Sequence, residues 1–206
     1  MGGLLNFMRG INFLVPRNMT KAAGFYNSII QTDEPAFIIE PLNAYRVKEK
    51  MPINLGEYCY ELGKVEILKE GKDISIISYG STLNLIIDSI SEFDDLGIDV
   101  EIIDIQTLIP FDISKEILLS VRKTNRVIII DEDVPGGASS YILHKLIDEQ
   151  GIFNYLDSSP TTLTAKDHRP PYGTDGDYFS KPSIDDIVES VYIIMNESNP
   201  NKYPLL

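Results

Sequence analysis

The sequence contains one cysteine and two histidines in 206 residues. The lone Cys59 excludes a disulfide bond within the chain. Together with His144 and His168 it also supplies too few soft ligands for a structural zinc site. We therefore expect Cys59 to be a buried or half-buried packing residue without a chemical role.

Long apolar runs are also lacking, since no stretch approaches the roughly 20 residues of a membrane-spanning helix. The first ten residues, MGGLLNFMRG, lack the charged start and long apolar stretch of a signal peptide. We therefore expect a cytoplasmic protein that does not bind membranes. The length suits one good core, or one domain with part of another.

Basic residues are scarce, because 18 Lys and Arg face 31 Asp and Glu and give a net charge of −13. Residues 1–60 hold five acids and six bases, so residues 61–206 hold 26 acids and 12 bases. This step in charge predicts a domain boundary near residue 60. Such an acidic surface disfavours nucleic acid and favours a basic protein partner. The alternative is that the charge only maintains solubility.

Residues 1–40 show the order strand, helix, strand. Residues 11–15 form an apolar run, Asn18 or Thr20 can cap the following helix, and residues 36–40 form the second run. This order predicts a parallel pair with a right-handed crossover. A sheet of two strands cannot bury its own apolar faces, so we expect residues 1–40 to be the end of a larger α/β domain. A connector over residues 41–62 is predicted to follow. The alternative is that both strands join the next sheet.

Residues 61–198 repeat the strand-helix pattern. Strands are predicted at 64–69, 73–79, 98–105, 127–130 and 161–166, with helices between them and a last helix capped by Ser183 and Asp186. The first strand alternates in polarity and fits an antiparallel edge. The prediction is a three-layer α/β domain of four parallel strands and one antiparallel edge strand, followed by a tail over 199–206.

The loop after strand 127–130 carries the main candidates for chemistry. Asp131, Glu132 and Asp133 could bind a hard cation, and the turn at 135–140 could bind phosphate at a helix N-terminus. Calcium-loop spacing and both glycine-rich nucleotide motifs are missing, so a solvated acidic loop and a packing turn are favoured. His168, in a polar loop over 167–177, is a candidate catalytic base, but loop ordering or an interface role is favoured.

Five stretches resemble a known family: INFLVPRNMTKAAGFYNSII, PAFIIEPLNAYRVKEKMP, ISIISYGSTL, EIIDIQTLIPFD and VIIIDEDVPGGASSYI. In this order they resemble the beta subunit of the thiamine-diphosphate-dependent decarboxylase of 2-oxo acid dehydrogenase complexes. The bacterial 2-oxoisovalerate (branched-chain) type with fused alpha and beta parts is the narrower match. The resemblance implies that 1–60 ends the pyrimidine-binding domain and that 61–198 is a transketolase C-terminal domain. The rival is a C-terminal domain from a transketolase or deoxyxylulose-phosphate synthase.

The resemblance also implies what this chain does not carry. The family's pyrimidine-activating glutamate and active-site histidine lie upstream of Met1, and the diphosphate-magnesium motif lies in the alpha part. We therefore expect no catalytic, cofactor or metal residues here, and no thiamine diphosphate or magnesium bound to this segment alone. His168 does not align with the family's histidine.

The implied role is assembly. The resemblance predicts contacts with the alpha part, with a second beta part in a two-fold dimer, and with the basic docking domain of the dihydrolipoyl acyltransferase. We predict that acids clustered in loops form the docking surface. Those acids are Asp131, Glu132, Asp133, Asp175 and Asp177.

Overall fold

The computed structural model describes residues 1–173 and 175–205, without the side chains of Asn43 and Asp177. Within these residues eight strands form two sheets. The strands are β1 (Asn12–Leu14), β2 (Ala36–Ile38), β3 (Glu66–Lys69), β4 (Ile74–Ser78), β5 (Val100–Asp104), β6 (Thr107–Ile109), β7 (Val127–Ile130) and β8 (Thr161–Leu163).

The α-helices lie between and after these strands. They are α1 (Gly2–Phe7), α2 (Met19–Ile30), α3 (Thr82–Asp88), α4 (Ile90–Asp95), α5 (Glu116–Thr124), α6 (Ala138–His144), α7 (Gly176–Ser180) and α8 (Ile184–Ser198). Short 3-10 turns cover Leu42–Arg46 and Ile152–Tyr155, and a π-helical turn, Lys145–Glu149, extends α6. None of the helices in the described residues is long and apolar enough to cross a membrane.

The larger sheet has the strand order β3-β5-β4-β7-β8. Strands β5, β4, β7 and β8 are parallel, and β3 runs antiparallel at the edge, as predicted. The central strands are isoleucine-rich and buried, because helices cover both faces of a parallel sheet. Two apolar clusters, one built around Ile77 and Ile129 and the other around Ile76 and Ile128, form the core.

The smaller sheet has the order β2-β1-β6. Strands β1 and β2 are parallel across α2, which confirms the predicted unit, and Asn18 caps α2 by accepting from Lys21 N–H at 2.9 Å. A third strand, β6, adds antiparallel to β1 across the predicted boundary. Sequence patterning missed β6, which is only three residues long. The division at residue 60 stays a prediction.

Several local expectations need correction. The predicted helix between β4 and β5 breaks at Ser89 into α3 and α4, and Ile87 at the end of α3 is 39% exposed. Cys59 is exposed, because its connector segment lies on the surface. In the tail, Tyr203 is buried and its carbonyl accepts from Asn196 Nδ2 at 2.6 Å, so these residues pack against α8.

Candidate functional site

Asp131 directly follows β7, and its side chain is fully buried. It accepts hydrogen bonds from the Tyr79 hydroxyl at 2.5 Å and from the N–H groups of Asp133 at 2.9 Å and Ser139 at 2.8 Å. Burial raises the pKa of Asp131. Burial and the nearby charge of Asp131 raise the pKa of Tyr79. Asp131 thus joins the ends of β4 and β7 to the start of α6. Its predicted place on a docking surface is wrong, because the side chain does not reach the surface.

Asp133 holds the turn that begins α6. Its Oδ2 atom accepts from Gly2 N–H at 3.1 Å, and a Cβ at Gly137 would lie only 2.6 Å from that same oxygen. Glycine is therefore required at position 137 because of this close approach. The carboxylates of Asp131 and Asp133 stand at the helix start, where their charge repels a phosphate. The geometry favours the packing turn over a phosphate site.

Glu132 points away from its two neighbours. Its Oε2 atom forms a salt bridge with Lys181 Nζ at 3.1 Å, and both side chains are about 40% exposed. The three acids of this loop therefore have separate partners rather than a shared centre. Within the described residues, no group of three or more His, Cys, Asp or Glu side chains is placed to hold a metal ion. The hard-cation interpretation of this loop has no support in the geometry.

A groove of about 650 Å³ opens beside Glu132, at the carboxyl ends of β4 and β7. From β4 the chain winds outward to β5 on one side, and from β7 it winds outward to β8 on the other, so the groove lies where the winding direction of the sheet reverses. Such positions are the usual ligand sites of open α/β sheets. This groove is lined by Ser81, Thr82, Asn84, Leu85, Glu92, Glu132, Tyr178, Lys181, Pro182, Ser183, Ile184 and Asp185.

The start of α8 forms one wall of the groove. Ser183 and Asp186 form the predicted capping box, in which Ser183 Oγ accepts from Asp186 N–H at 3.2 Å and Asp186 Oδ2 accepts from Ser183 N–H at 2.8 Å. Ser183 Oγ also donates to Asp186 Oδ2 at 2.6 Å. This hydrogen bond and one from Ser183 N–H lower the pKa of Asp186. Ser81 stands at the N-cap of α3 and makes no side-chain capping bond. Short polar side chains, among them those of Ser81 and Ser183, therefore line part of the groove.

The remaining predicted acids lie just before α7 and within it. Asp175 is exposed, and Phe179 N–H bonds to its backbone carbonyl at 2.9 Å. Asp177 lies in α7, and its side chain is outside the described part of the structure. Tyr178, the next residue, lines the groove. The structure therefore brings the 131–133 loop and the 175–177 segment to one edge of the domain.

His168 is exposed, and its ring lies 5.6 Å from that of Phe179. Its Nδ1 atom is 3.0 Å from the carbonyl oxygen of Arg169. These contacts support loop ordering rather than catalysis. His144 is also on the surface, 2.8 Å from Asp148 across one helical turn.

Sequence reasoning missed a buried ionic cluster between the two sheets. Asp104, at the end of β5, accepts from Arg17 Nη1 at 3.0 Å and from Gln106 N–H at 2.9 Å. Glu66 pairs with Arg17 and with Lys21 Nζ, the latter at 2.8 Å. Charged residues in apolar strands, Asp104 above all, were the available signal. The cluster fixes β1 and α2 against the larger sheet.

Burial controls the charges in this cluster. Burial raises the pKa of Asp104 to about 6 even though Arg17 opposes the shift. Burial lowers the pKa of Lys21, whereas hydrogen bonds from Arg17 and Lys21 outweigh burial and lower the pKa of Glu66. Since Asp104 and Lys21 are enclosed by protein, the role of this cluster is structural.

Residues 63–181 match the family model described as transketolase, C-terminal domain. The chain belongs to the transketolase C-terminal domain family. The strand order of the larger sheet is the structural counterpart of this match, and the groove lies within the matched domain or just after it.

Relatives extend the similarity beyond this domain. The chain is 33% identical over 186 residues to the pyruvate dehydrogenase E1 component subunit beta of Mesostigma viride, covering 90% of the chain and 56% of the relative. It is 35% identical over 131 residues to the mitochondrial 2-oxoisovalerate dehydrogenase subunit beta of Chaetomium thermophilum, covering 63% of the chain and 27% of the relative. The chain thus spans about half the length of the first relative and about a quarter of the length of the second.

A solved structure shares the fold. It is described as a split gene transketolase, inactive beta4 tetramer, with a TM-score of 0.72 over 96% of this chain and 61% of that one. Sequence identity is 19%, so this likeness supports the fold alone.

Proposed function

We propose that this chain is the C-terminal part of the beta subunit in the decarboxylating component of a 2-oxo acid dehydrogenase complex. The complete component would decarboxylate a 2-oxo acid, of the branched-chain or pyruvate type, and transfer the acyl group to a lipoyl group. The observation that carries this proposal is the 33% identity to a pyruvate dehydrogenase beta subunit over 90% of the chain.

The part played by this chain is assembly with an alpha part and a second beta part. Strand β2 is the edge of the smaller sheet, and Phe37 on it is 39% exposed. Large apolar side chains nearby in sequence are also exposed, including Ile30 and Leu42. An open edge and exposed apolar residues are typical of a surface that another segment covers.

The test is to tag this protein in its native host, isolate the intact assembly and measure acyl transfer to lipoamide. Pyruvate and 2-oxoisovalerate serve as substrates, and ketol transfer between sugar phosphates tests the transketolase alternative. Lipoamide acylation that copurifies with the tag supports the proposal. Ketol transfer without lipoamide acylation contradicts it.

We further propose that the edge of the domain that carries the 131–133 loop and the 175–177 segment binds the basic docking domain of the dihydrolipoyl acyltransferase. The support is the net charge of residues 61–206, which hold 26 acids against 12 bases, and the position of Glu132 and Asp175 at one edge. Opposite charges across an interface chiefly raise the association rate.

The double variant Asp175→Asn with Asp177→Asn should slow association with that domain. The effect should shrink as salt screens the field over about 8 Å at physiological ionic strength. Stopped-flow mixing at low and physiological salt provides the measurement. A matched control, Asp148→Asn with Glu149→Gln, removes the same charge at the far end of α6. An association rate that does not depend on salt contradicts the electrostatic mechanism.

A further inference from the structure

The groove combines an apolar wall with carboxylates. Leu85, Pro182 and Ile184 supply aliphatic surface, and Tyr178 adds a ring that is 72% exposed. Glu92, on α4, and Asp185, on α8, are exposed carboxylates among the lining residues. An occupant therefore meets apolar surface and negative charge in the same space.

The charges of the lining decide which occupant fits. Lys181 is the one cation among the residues that line the groove, and Glu132 already pairs with it. The carboxylates of Glu92 and Asp185 are left in excess, so the lining is negative overall. It would repel a phosphate or carboxylate, and a wholly apolar occupant would strip water from carboxylates without replacing it. The groove suits an occupant that is apolar along its length and cationic at its end.

Arginine and lysine side chains have this construction, because an aliphatic stem carries the charged head. A guanidinium also binds carboxylates in a planar, forked geometry and stacks on aromatic rings. A volume of about 650 Å³ is larger than one such side chain needs, so the groove has room for the residues beside it. An exposed tyrosine at the rim is also typical of protein interfaces.

We propose that the groove receives an arginine or lysine side chain presented by a partner protein. The stem packs on Leu85 and Ile184, and the cationic head lies between Glu92 and Asp185. This inference rests on the docking role proposed above, and it gives that role a specific receptor on the described surface.

The test is an NMR titration of the whole isotope-labelled chain with N-acetylarginine amide. Saturable shifts are expected at the backbone amides of Asn84, Leu85 and Ser183. N-acetylcitrulline amide has nearly the same shape without the charge, so it should give no saturable shift. Equal binding of the citrulline compound, or shifts away from the groove, would overturn the proposal.

A charge-matched pair of variants locates the head of the side chain. Glu92→Gln with Asp185→Asn should weaken binding of the arginine compound about fivefold, the effect of about 1 kcal/mol from exposed ion pairs. The control, Asp94→Asn with Asp95→Asn, removes two charges from the same region of α4 without changing a residue that lines the groove. Equal weakening in both double variants would assign the effect to net charge and overturn the proposal.

Other occupants give different results. If the same amides shift with protein concentration alone, a second copy of the chain fills the groove and the proposal fails. Retained binding of the basic domain by a variant that has lost arginine binding would reject the groove while leaving the docking role standing.

Discussion

Asp131 and Glu132 are neighbours in sequence, yet their environments differ completely. Asp131 is buried and accepts three hydrogen bonds, whereas Glu132 reaches the groove and pairs with Lys181. A substitution that removes one negative charge should therefore have different consequences at the two positions.

Asp131→Asn should lower the free energy of unfolding by about 1–3 kcal/mol, because the new amide group faces at least one donor and leaves it unpaired. Urea unfolding followed by circular dichroism measures the change. Glu132→Gln is the control, and its effect should stay within about 0.5 kcal/mol, as for other exposed positions. Equal losses in the two variants would contradict the structural role assigned to Asp131.

The raised pKa of Asp104 predicts that the stability of the chain depends on pH. Its pKa is about 6 in the folded chain against an ordinary value of 3.8, so the folded state binds this proton more tightly. Its contribution to stability is full below about pH 4 and is lost as pH rises through about 6. Asp104→Asn keeps a neutral group at every pH. The free energy of unfolding of the natural chain should therefore fall relative to this variant between pH 4.5 and 7.5.

Unfolding experiments at both pH values give this difference, with Glu189→Gln as an exposed control for the background pH dependence. If the difference between the natural chain and Asp104→Asn rises with pH instead, the assigned direction of the pKa shift is wrong.

At the scale of elements, the smaller sheet is held mainly by β1. This strand is buried and pairs on both sides, whereas β2 is an edge strand with an exposed Phe37. The larger sheet, by contrast, has helices on both faces. Local stability should therefore differ among strands.

Amide hydrogen exchange should be fastest in β2, slower in β1 and slowest in β7. The reason is that opening β2 uncovers little apolar surface, whereas opening β7 uncovers the centre of the core. Mass spectrometry of peptides from residues 11–15, 36–38 and 127–130 measures this order in the monomer. Equal protection of residues 11–15 and 127–130 would contradict the prediction.

Arg17→Met should detach the smaller sheet from the larger one. The substitution removes the partner of the buried Asp104 and leaves its charge uncompensated, a loss of about 3–5 kcal/mol. Exchange in β1 and α2 should rise more than exchange in β7. Arg9→Met, at an exposed position, is the control. Uniform acceleration over all strands would show global destabilisation rather than detachment.

At the scale of the whole molecule, the described residues bring together acids and an ionic cluster but no set of metal ligands. The loop at 135–137, the best candidate for a diphosphate, begins beside two carboxylates. Two carboxylates beside this turn disfavour a diphosphate there, because like charges repel.

The chain alone should therefore bind thiamine diphosphate with magnesium no more tightly than millimolar, about 4 kcal/mol. Isothermal titration calorimetry with and without magnesium provides the measurement, and heat-denatured protein controls for nonspecific heat. Micromolar affinity would show that the chain holds a cofactor site of its own.

The sequence alone determined the parallel strands, their helices and the antiparallel edge of the larger sheet. Each of these features has a local cause: apolar runs such as 127–130, helical spacing of buried residues, and caps such as Asn18 and Ser183. The order of the motifs was also enough to recognise the family. The stretches IDIQTLIPFD and DEDVPGGASSYI lie within or beside strands and turns of the matched domain.

Only the tertiary structure decided which acids are buried and which distant residues meet. Asp131 and Glu132 could not be separated by pattern, because their burial depends on Tyr79 and Lys181, about 50 residues away. The addition of β6 to β1 and the ionic cluster around Asp104 also join segments far apart in the chain. Local periodicity specifies an element and its buried face, but contacts between elements arise from their packing, and both the groove and the cluster are products of that packing.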